Sequence, residues 1–315
     1  MLTLGIDTSN YATSLAVFDT QAGEVVCDCK RFLPVRPGQL GLRQSDALFH
    51  HTAALPELFS ELGRQVDLSA VQAVGVSQTP RPIEGSYMPC FLAGVSAATA
   101  FCAARGLPLH RTSHQQGHLA AALYATTHPE LFAADALVFH VSGGTTDLLL
   151  CRNAFPAETL GTSTDLYAGQ AVDRLGVRLG FAFPAGAQVS ELAAHCAEPV
   201  RAKVSVRGTD CSLSGLQNQC EKLLQEGKPP EYVCKYCLVC IAETLVRMAR
   251  AALQAHPGLP VVFAGGVMSS TIIRDHVTAR LPGAYFVPGK FASDNAIGVA
   301  ILAAKEQGAW PISST

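Results

Sequence analysis

Apolar runs at Leu2–Ile6 and Thr13–Phe18 flank the polar turn Asp7-Thr8-Ser9-Asn10-Tyr11-Ala12, and Gly23 turns the chain into a third run, Val25–Cys29. Short runs bounded by turn residues predict three consecutive antiparallel strands. Leu48, Leu55, Leu58 and Leu62 then share one helical face behind Ser45, the expected N-cap. A strand over Ala73–Ser77 and an Ala-rich helix ending near Gly106 complete the order β-β-β-α-β-α.

The pattern restarts at Ala136–Val141, an apolar run followed by the small, hydroxyl-rich turn Ser142-Gly143-Gly144-Thr145-Thr146 and a returning run, Leu148–Cys151. Glu158–Leu160 reads as the third strand. Helical periodicity then covers Leu166–Leu179, Gln188–Cys196 and Glu231–Leu253, with a buried strand at Pro260–Phe263. Further helices are expected over Ser270–Arg280 and from near Ser293 to Glu306. The recurrence predicts a duplicated α/β fold. The expected domains are 1–130, with a C-terminal helix 293–310 packing back on it, and 131–292 with a helical insertion. Two such halves facing each other would bring both polar turns to one cleft. A length of 315 residues fits two domains at roughly 150 residues each.

Composition removes several classes. The chain is 49% hydrophobic and 15% charged, too apolar for a disordered protein. With 23 basic and 25 acidic residues, no whole-chain attraction to nucleic acid or a membrane is expected. Gly85–Ala104 carries no formal charge over a length that approaches a bilayer span, but Ser86, Pro89, Gly94, Ser96 and Thr99 and its Ala content predict a buried helix. Met1 leads straight into the first strand without a basic region, so no secretory leader is expected and the location reads as cytoplasmic. The eleven cysteines then read as reduced thiols. Cys234, Cys237 and Cys240 have a spacing met in iron–sulfur proteins, but they fall inside a helical pattern and are expected to be buried thiols.

Three small-residue turns are candidates for binding chemistry. Thr8-Ser9 and Ser142–Thr146 offer backbone amides and hydroxyls suited to phosphate oxygens, and Ala264-Gly265-Gly266-Val267 lets a base or ribose approach the backbone. His114 and His118, four apart, share one face of a helix and suit a single metal ion. Gln115 cannot take a proton, which excludes a metallopeptidase of the H-E-x-x-H type. The best-placed third ligand in the sequence is Asp294, at the expected opening of the last helix. His50, His51, His195 and His256 read as structural or solvated, and Asp165 as a structural acid. For Asp173 spacing favours an acid paired with arginine, the alternative being a ligand for a ribose or substrate hydroxyl.

Together these segments resemble the TsaD/Gcp family of tRNA threonylcarbamoyltransferases, within the actin/Hsp70/sugar-kinase (ribonuclease H-like) superfamily. Gly5-Ile6-Asp7-Thr8-Ser9 matches its G-I-E-T-S, His114 and His118 its H-x-x-x-H, and Val141-Ser142-Gly143-Gly144 its V-S-G-G. Ala168–Asp173 resembles A-G-E-A-F-D, Phe183–Gly186 resembles Y-P-G-G, and Ser212–Leu216 resembles F-S-G-L. Ala264–Val267 matches A-G-G-V, and Ser293–Ala296 matches T-D-N-A.

The resemblance implies two domains around a nucleotide cleft, and a divalent ion, iron or zinc, on His114, His118 and Asp294. It implies ATP, AMP or an acyl-adenylate held by Thr8, Ser9, Val141 to Thr145, Asp173, Gly186, Gly265, Gly266 and Ser270. The implied reaction is acyl transfer to the N6 amine of the adenosine beside the tRNA anticodon, not proteolysis. The implied partners are tRNA, an adenylate-forming enzyme and an inactive paralogue, with no membrane. This chain departs from the family where Tyr11 and Ala12 replace two carboxylates, Thr145 a histidine and Ser270 an asparagine, and where Gly41–Asp46 is remodelled. A tyrosine, with a pKa of about 10, is no ready base at neutral pH. These departures leave the catalytic residues unassigned. They also keep open a paralogue that acts on another acyl-adenylate or regulates without catalysis. A sugar-kinase-like ATPase is the third reading, which the histidine pair disfavours because Mg²⁺ prefers oxygen ligands.

Overall fold

The structure is a computed structural model that describes residues 1–9, 12–34, 42–132, 134–153, 155–288 and 296–310, and only the backbone at 156 and 157. Asn10, Tyr11, Gly41 and Asp294, all singled out above, lie outside the described residues. The chain divides into two units, Met1–Ala134 with Asn153–Phe155 and Ser293–Thr315, and Asp135–Arg152 with Pro156–Ala292.

In the first unit β1 (Leu2–Thr8), β2 (Ala12–Asp19) and β3 (Glu24–Phe32) are antiparallel neighbours, as the short connections between these apolar runs require. α1 (Gln44–Gln65) lays Leu55, Leu58 and Leu62 onto Leu4, Ile6, Leu15 and Val17. Its N-cap is Arg43, without a side-chain cap, and not Ser45, which already lies inside the helix. β4 (Val71–Thr79) and β5 (Leu109–Ser113) pair parallel, giving the order β3-β2-β1-β4-β5. α2 (Phe91–Arg105) is the Ala-rich segment, with Phe91, Ala93, Gly94, Ala98 and Cys102 buried. No helix among the described residues is long and apolar enough to cross a membrane.

After β5 comes α3 (His114–Ala125), started by a capping box: Ser113 Oγ accepts from the Gln116 amide, and Gln116 Oε1 accepts from the Ser113 amide at 2.9 Å. α9 (Ile297–Glu306) crosses α3 at two glycines. A Cβ on Gly298 would stand 1.8 Å from the carbonyl oxygen of Gly117, so only glycine permits this approach.

The second unit repeats the strand plan. β6 (Ala136–Val141) and β7 (Thr146–Arg152) pair antiparallel with Phe139 opposite Leu148, and β8 (Phe155–Thr162) follows. β11 (Val261–Ala264) joins β6 in parallel and carries β12 (Tyr285–Phe286), so the order is β12-β11-β6-β7-β8. Counted within its own sheet, each reads 3-2-1-4-5, which gives the sequence recurrence its physical form. Between β8 and β11 run α4 (Ala168–Arg178), α5 (Gly186–Ala194), the hairpin β9 (Ser205–Arg207) and β10 (Asp210–Ser212), α6 (Ser214–Gln225) and α7 (Pro230–Ala255). α8 (Thr271–Thr278) follows β11. Cys234, Cys237 and Cys240 are buried along α7, and the described cysteines are free thiols. Burial alone pushes the Cys151 thiol up to about 12, a state that packs and does not react.

Candidate functional site

Two constellations gather the residues marked in the sequence. The first stands on the N-terminus of α3. The capping box sets His114 as the first residue of the helix, and one turn later His118 turns its Nε2 to within 2.9 Å of His114 Nε2. The rings meet edge to face at 84°. Behind them, Asp7 at the end of β1 is fully buried and places Oδ1 3.1 Å from His114 Nδ1. A carboxylate on Nδ1 leaves Nε2 turned outward as the coordinating nitrogen, the usual arrangement behind a metal-bound imidazole. For two imidazoles on one tetrahedral ion the nitrogens should stand about 3.3 Å apart. The observed pair needs to open by only a few tenths of an ångström, so the donors present fit a borderline ion such as zinc or iron.

The β1–β2 turn lies close by in sequence. The Thr8 hydroxyl donates to Cys90 O and accepts from the Gly94 amide, so it is committed to α2. Ser9 Oγ is buried and makes no hydrogen bond among the described residues. Ala12, where the family has a carboxylate, is fully buried at the start of β2. His51, expected to be structural or solvated, is buried against Thr13 with Nδ1 2.8 Å from Oγ1. Burial pushes its imidazole down to about 4.

The second constellation is a cleft of about 570 Å³ within the second unit. Ser142 and Gly143 of the β6–β7 turn, Asp173 of α4, Gly186 at the head of α5, and Gly266 and Ser270 all line it. A Cβ on Gly169 would stand 2.6 Å from Ser142 O, and the Gly169 amide donates to that same oxygen at 3.1 Å. α4 is therefore pressed directly onto the turn. Asp173 Oδ1 accepts from the Ala185 amide at 2.8 Å and ties α4 to the entry of α5. Its other oxygen has no hydrogen bond among the described residues and is available to a hydroxyl.

Thr8 and Ser9 do not line this cleft, and neither do four marked residues of the second unit. Val141 is fully buried in the core, and Gly265, at φ +105°, lies against its carbonyl. Gly144 is the exposed tip of the turn, its amide 3.2 Å from Ser142 Oγ, and Thr145 Oγ1 faces Ser142 Oγ at 2.9 Å from behind.

Ser190 and Asp7 escape the sequence reading, and Asp165, read there as a structural acid, has more partners than its spacing shows. Ser190, one turn beyond Gly186 on α5, puts Oγ 2.8 Å from Ser270 Oγ inside the cleft; its signal was the helical spacing from Gly186. Asp7 is 107 positions from the imidazole it touches, and its role as the acid behind His114 left no local signal. Asp165 organises the Ser212–Ser214 turn, taking both hydroxyls at 2.5 Å and the amides of Leu166, Leu213 and Ser214. Its burial raises the carboxyl pKa, but these donors outweigh that and hold it well below the usual range.

The sequence profile described as TsaD, tRNA N6-adenosine threonylcarbamoyltransferase, matches residues 13–301. A Streptococcus pneumoniae protein named tRNA N6-adenosine threonylcarbamoyltransferase is 30% identical over 96% of this chain and 91% of its own length. Among solved structures, HypF from T. kodakarensis aligns at TM-score 0.60 and 12% identity, over 98% of this chain and 48% of that one. The activator of 2-hydroxyisocaproyl-CoA dehydratase from Clostridium difficile, with bound ADPNP, aligns at 0.56 and 14%, over 98% and 96%. These structural likenesses establish the actin/sugar-kinase-like fold. The profile match across most of the chain, on a scaffold that pairs His114 with His118, shows that this chain belongs to the TsaD family of tRNA N6-adenosine threonylcarbamoyltransferases.

Proposed function

We propose that the chain transfers a threonylcarbamoyl group from threonylcarbamoyl-adenylate to the exocyclic N6 amine of the adenosine beside the anticodon of tRNA. The observation that carries this reading is the imidazole pair His114–His118 backed by buried Asp7. Kinases of this fold bind Mg²⁺ through oxygen, and two nitrogens turned to one point suit a softer ion. Asp294, by resemblance, completes the ligand set.

In this reading the cleft of the second unit holds the adenylate. The Ser142–Gly143 turn, under the N-terminus of α4, offers donors to the phosphate. The unengaged oxygen of Asp173 accepts from a ribose hydroxyl, and the Ser190–Ser270 pair supplies a second polar wall. Gly266 gives the nucleoside access to the backbone. The amine nitrogen attacks the carbamoyl carbon, the bond from that carbon to the phosphate oxygen breaks, and AMP leaves while the amine gives up a proton. These residues bind and orient, and the donors at the phosphate stabilise charge growing on the leaving group. A divalent ion, when bound to His114 and His118, supplies Lewis acidity. Protein partners in this reading are an adenylate-forming enzyme and an inactive paralogue.

A second reading, a paralogue that uses another acyl-adenylate, is favoured by Ala12. A buried methyl group where the family has a carboxylate removes a polar contact from the β1–β2 turn. Reconstitution with threonine, bicarbonate, ATP, an adenylate-forming enzyme and tRNA separates the two. Threonylcarbamoyl-adenosine detected by mass spectrometry after nuclease digestion supports the first. Its absence beside an active control enzyme rejects the first and leaves the second.

A further inference from the structure

The β6–β7 turn is wired to an imidazole that the sequence motifs do not include. His140, the penultimate residue of β6, places Nδ1 3.3 Å from Thr145 Oγ1, which stands 2.9 Å from Ser142 Oγ. The Gly144 amide donates to Ser142 Oγ at 3.2 Å. Where the family carries histidine at the turn itself, this chain has Thr145, and an imidazole from five residues earlier approaches its hydroxyl.

The proton count decides what this chain of groups does. A hydroxyl has one proton to give and two lone pairs to receive. With Nδ1 protonated, His140 donates to Thr145, and the Thr145 proton goes to its nearest acceptor, Ser142 Oγ at 2.9 Å, in preference to His140 O at 3.3 Å. Ser142 Oγ then receives both the Thr145 hydroxyl and the Gly144 amide. Its own proton has only the cleft left to face, and Ser142 lines that cleft. Without a donor at position 140, Thr145 is free to turn its proton to the carbonyl of residue 140. Ser142 would then donate backwards to Thr145 and present its remaining lone pair to the cleft, which repels a phosphate.

We propose that His140 is a positioning residue that, through Thr145, aims the Ser142 hydroxyl into the cleft as a donor to the phosphate of the bound nucleotide. This rests on the reading of the cleft as the adenylate site. It also accounts for the family histidine being dispensable at position 145, because the donor is supplied from β6.

The test is calorimetric titration of the whole chain with AMP and with adenosine, which lacks the phosphate. Wild type is expected to bind AMP more tightly than adenosine. His140→Ala and Thr145→Val should each weaken AMP by about tenfold, the scale of one hydrogen bond to a charged group, with adenosine unchanged. His140→Asn, which keeps an amide donor near the position of Nδ1, and Thr145→Ser should recover most of the loss. An equal loss of AMP and adenosine in the folded variants would show that His140 only packs, and unchanged AMP binding would show that it does nothing; either result overturns the proposal. A wild type that binds neither ligand overturns the cleft assignment itself.

Discussion

His114 Nε2 and His118 Nε2 stand 2.9 Å apart across one turn of α3, with Asp7 Oδ1 3.1 Å behind the first ring. Neutral imidazoles this close share one hydrogen between them; a divalent ion would take both lone pairs at once. The purified protein is expected to hold one iron or zinc per chain by elemental analysis. His118→Ala should abolish this stoichiometry, and Asp7→Ala, which removes the group that orients His114, should weaken metal affinity by about 10–100-fold. Full retention of the ion in His118→Ala would refute the assignment.

The crossing of α3 and α9 holds that pair in place. In Gly298→Ala the new methyl group would stand 1.8 Å from Gly117 O, and the helices must separate. A loss of about 1–3 kcal/mol in unfolding free energy is expected from chemical denaturation, together with weaker metal binding. An unaltered denaturation midpoint would contradict the packing.

Acid should act on the first unit through His51. Its folded pKa, about 4, lies below the ordinary value of 6.5, so the unfolded chain binds a proton that the folded chain refuses between those limits. Stability therefore falls as pH drops from about 7 towards 4, by up to about 3 kcal/mol for this one buried group. In His51→Gln the slope over this window should flatten, as read from denaturation midpoints at a series of pH values. A slope identical to that of wild type would remove His51 from the account.

Much of the architecture could be read from hydrophobic spacing because the central strands of both sheets are buried on both faces and leave continuous apolar runs, as at Ala136–Val141. The reading failed where burial is partial. β5 carries His110, Arg111 and Thr112 on a sheet edge and shows no clear period, and α6 has only Leu216, Cys220, Leu223 and Leu224 at helical spacing among polar residues, a narrow stripe that is easily passed over. The same logic divides the site. His114 and His118 are visible because one helix carries both at a fixed spacing. Asp7 and His140 are not, because their partners come from another element or across a turn, and Ser190 shows only its spacing from Gly186, its partner Ser270 being brought to it by the folded backbone.

The most direct measurement supplies preformed threonylcarbamoyl-adenylate and unmodified tRNA to metal-loaded protein in a single turnover, without an adenylate-forming enzyme. AMP and threonylcarbamoyl-adenosine should appear together in equal amounts, and neither should form beyond the uncatalysed background with His114→Ala. Hydrolysis of the adenylate without modified tRNA, or transfer undiminished in His114→Ala, would contradict the account.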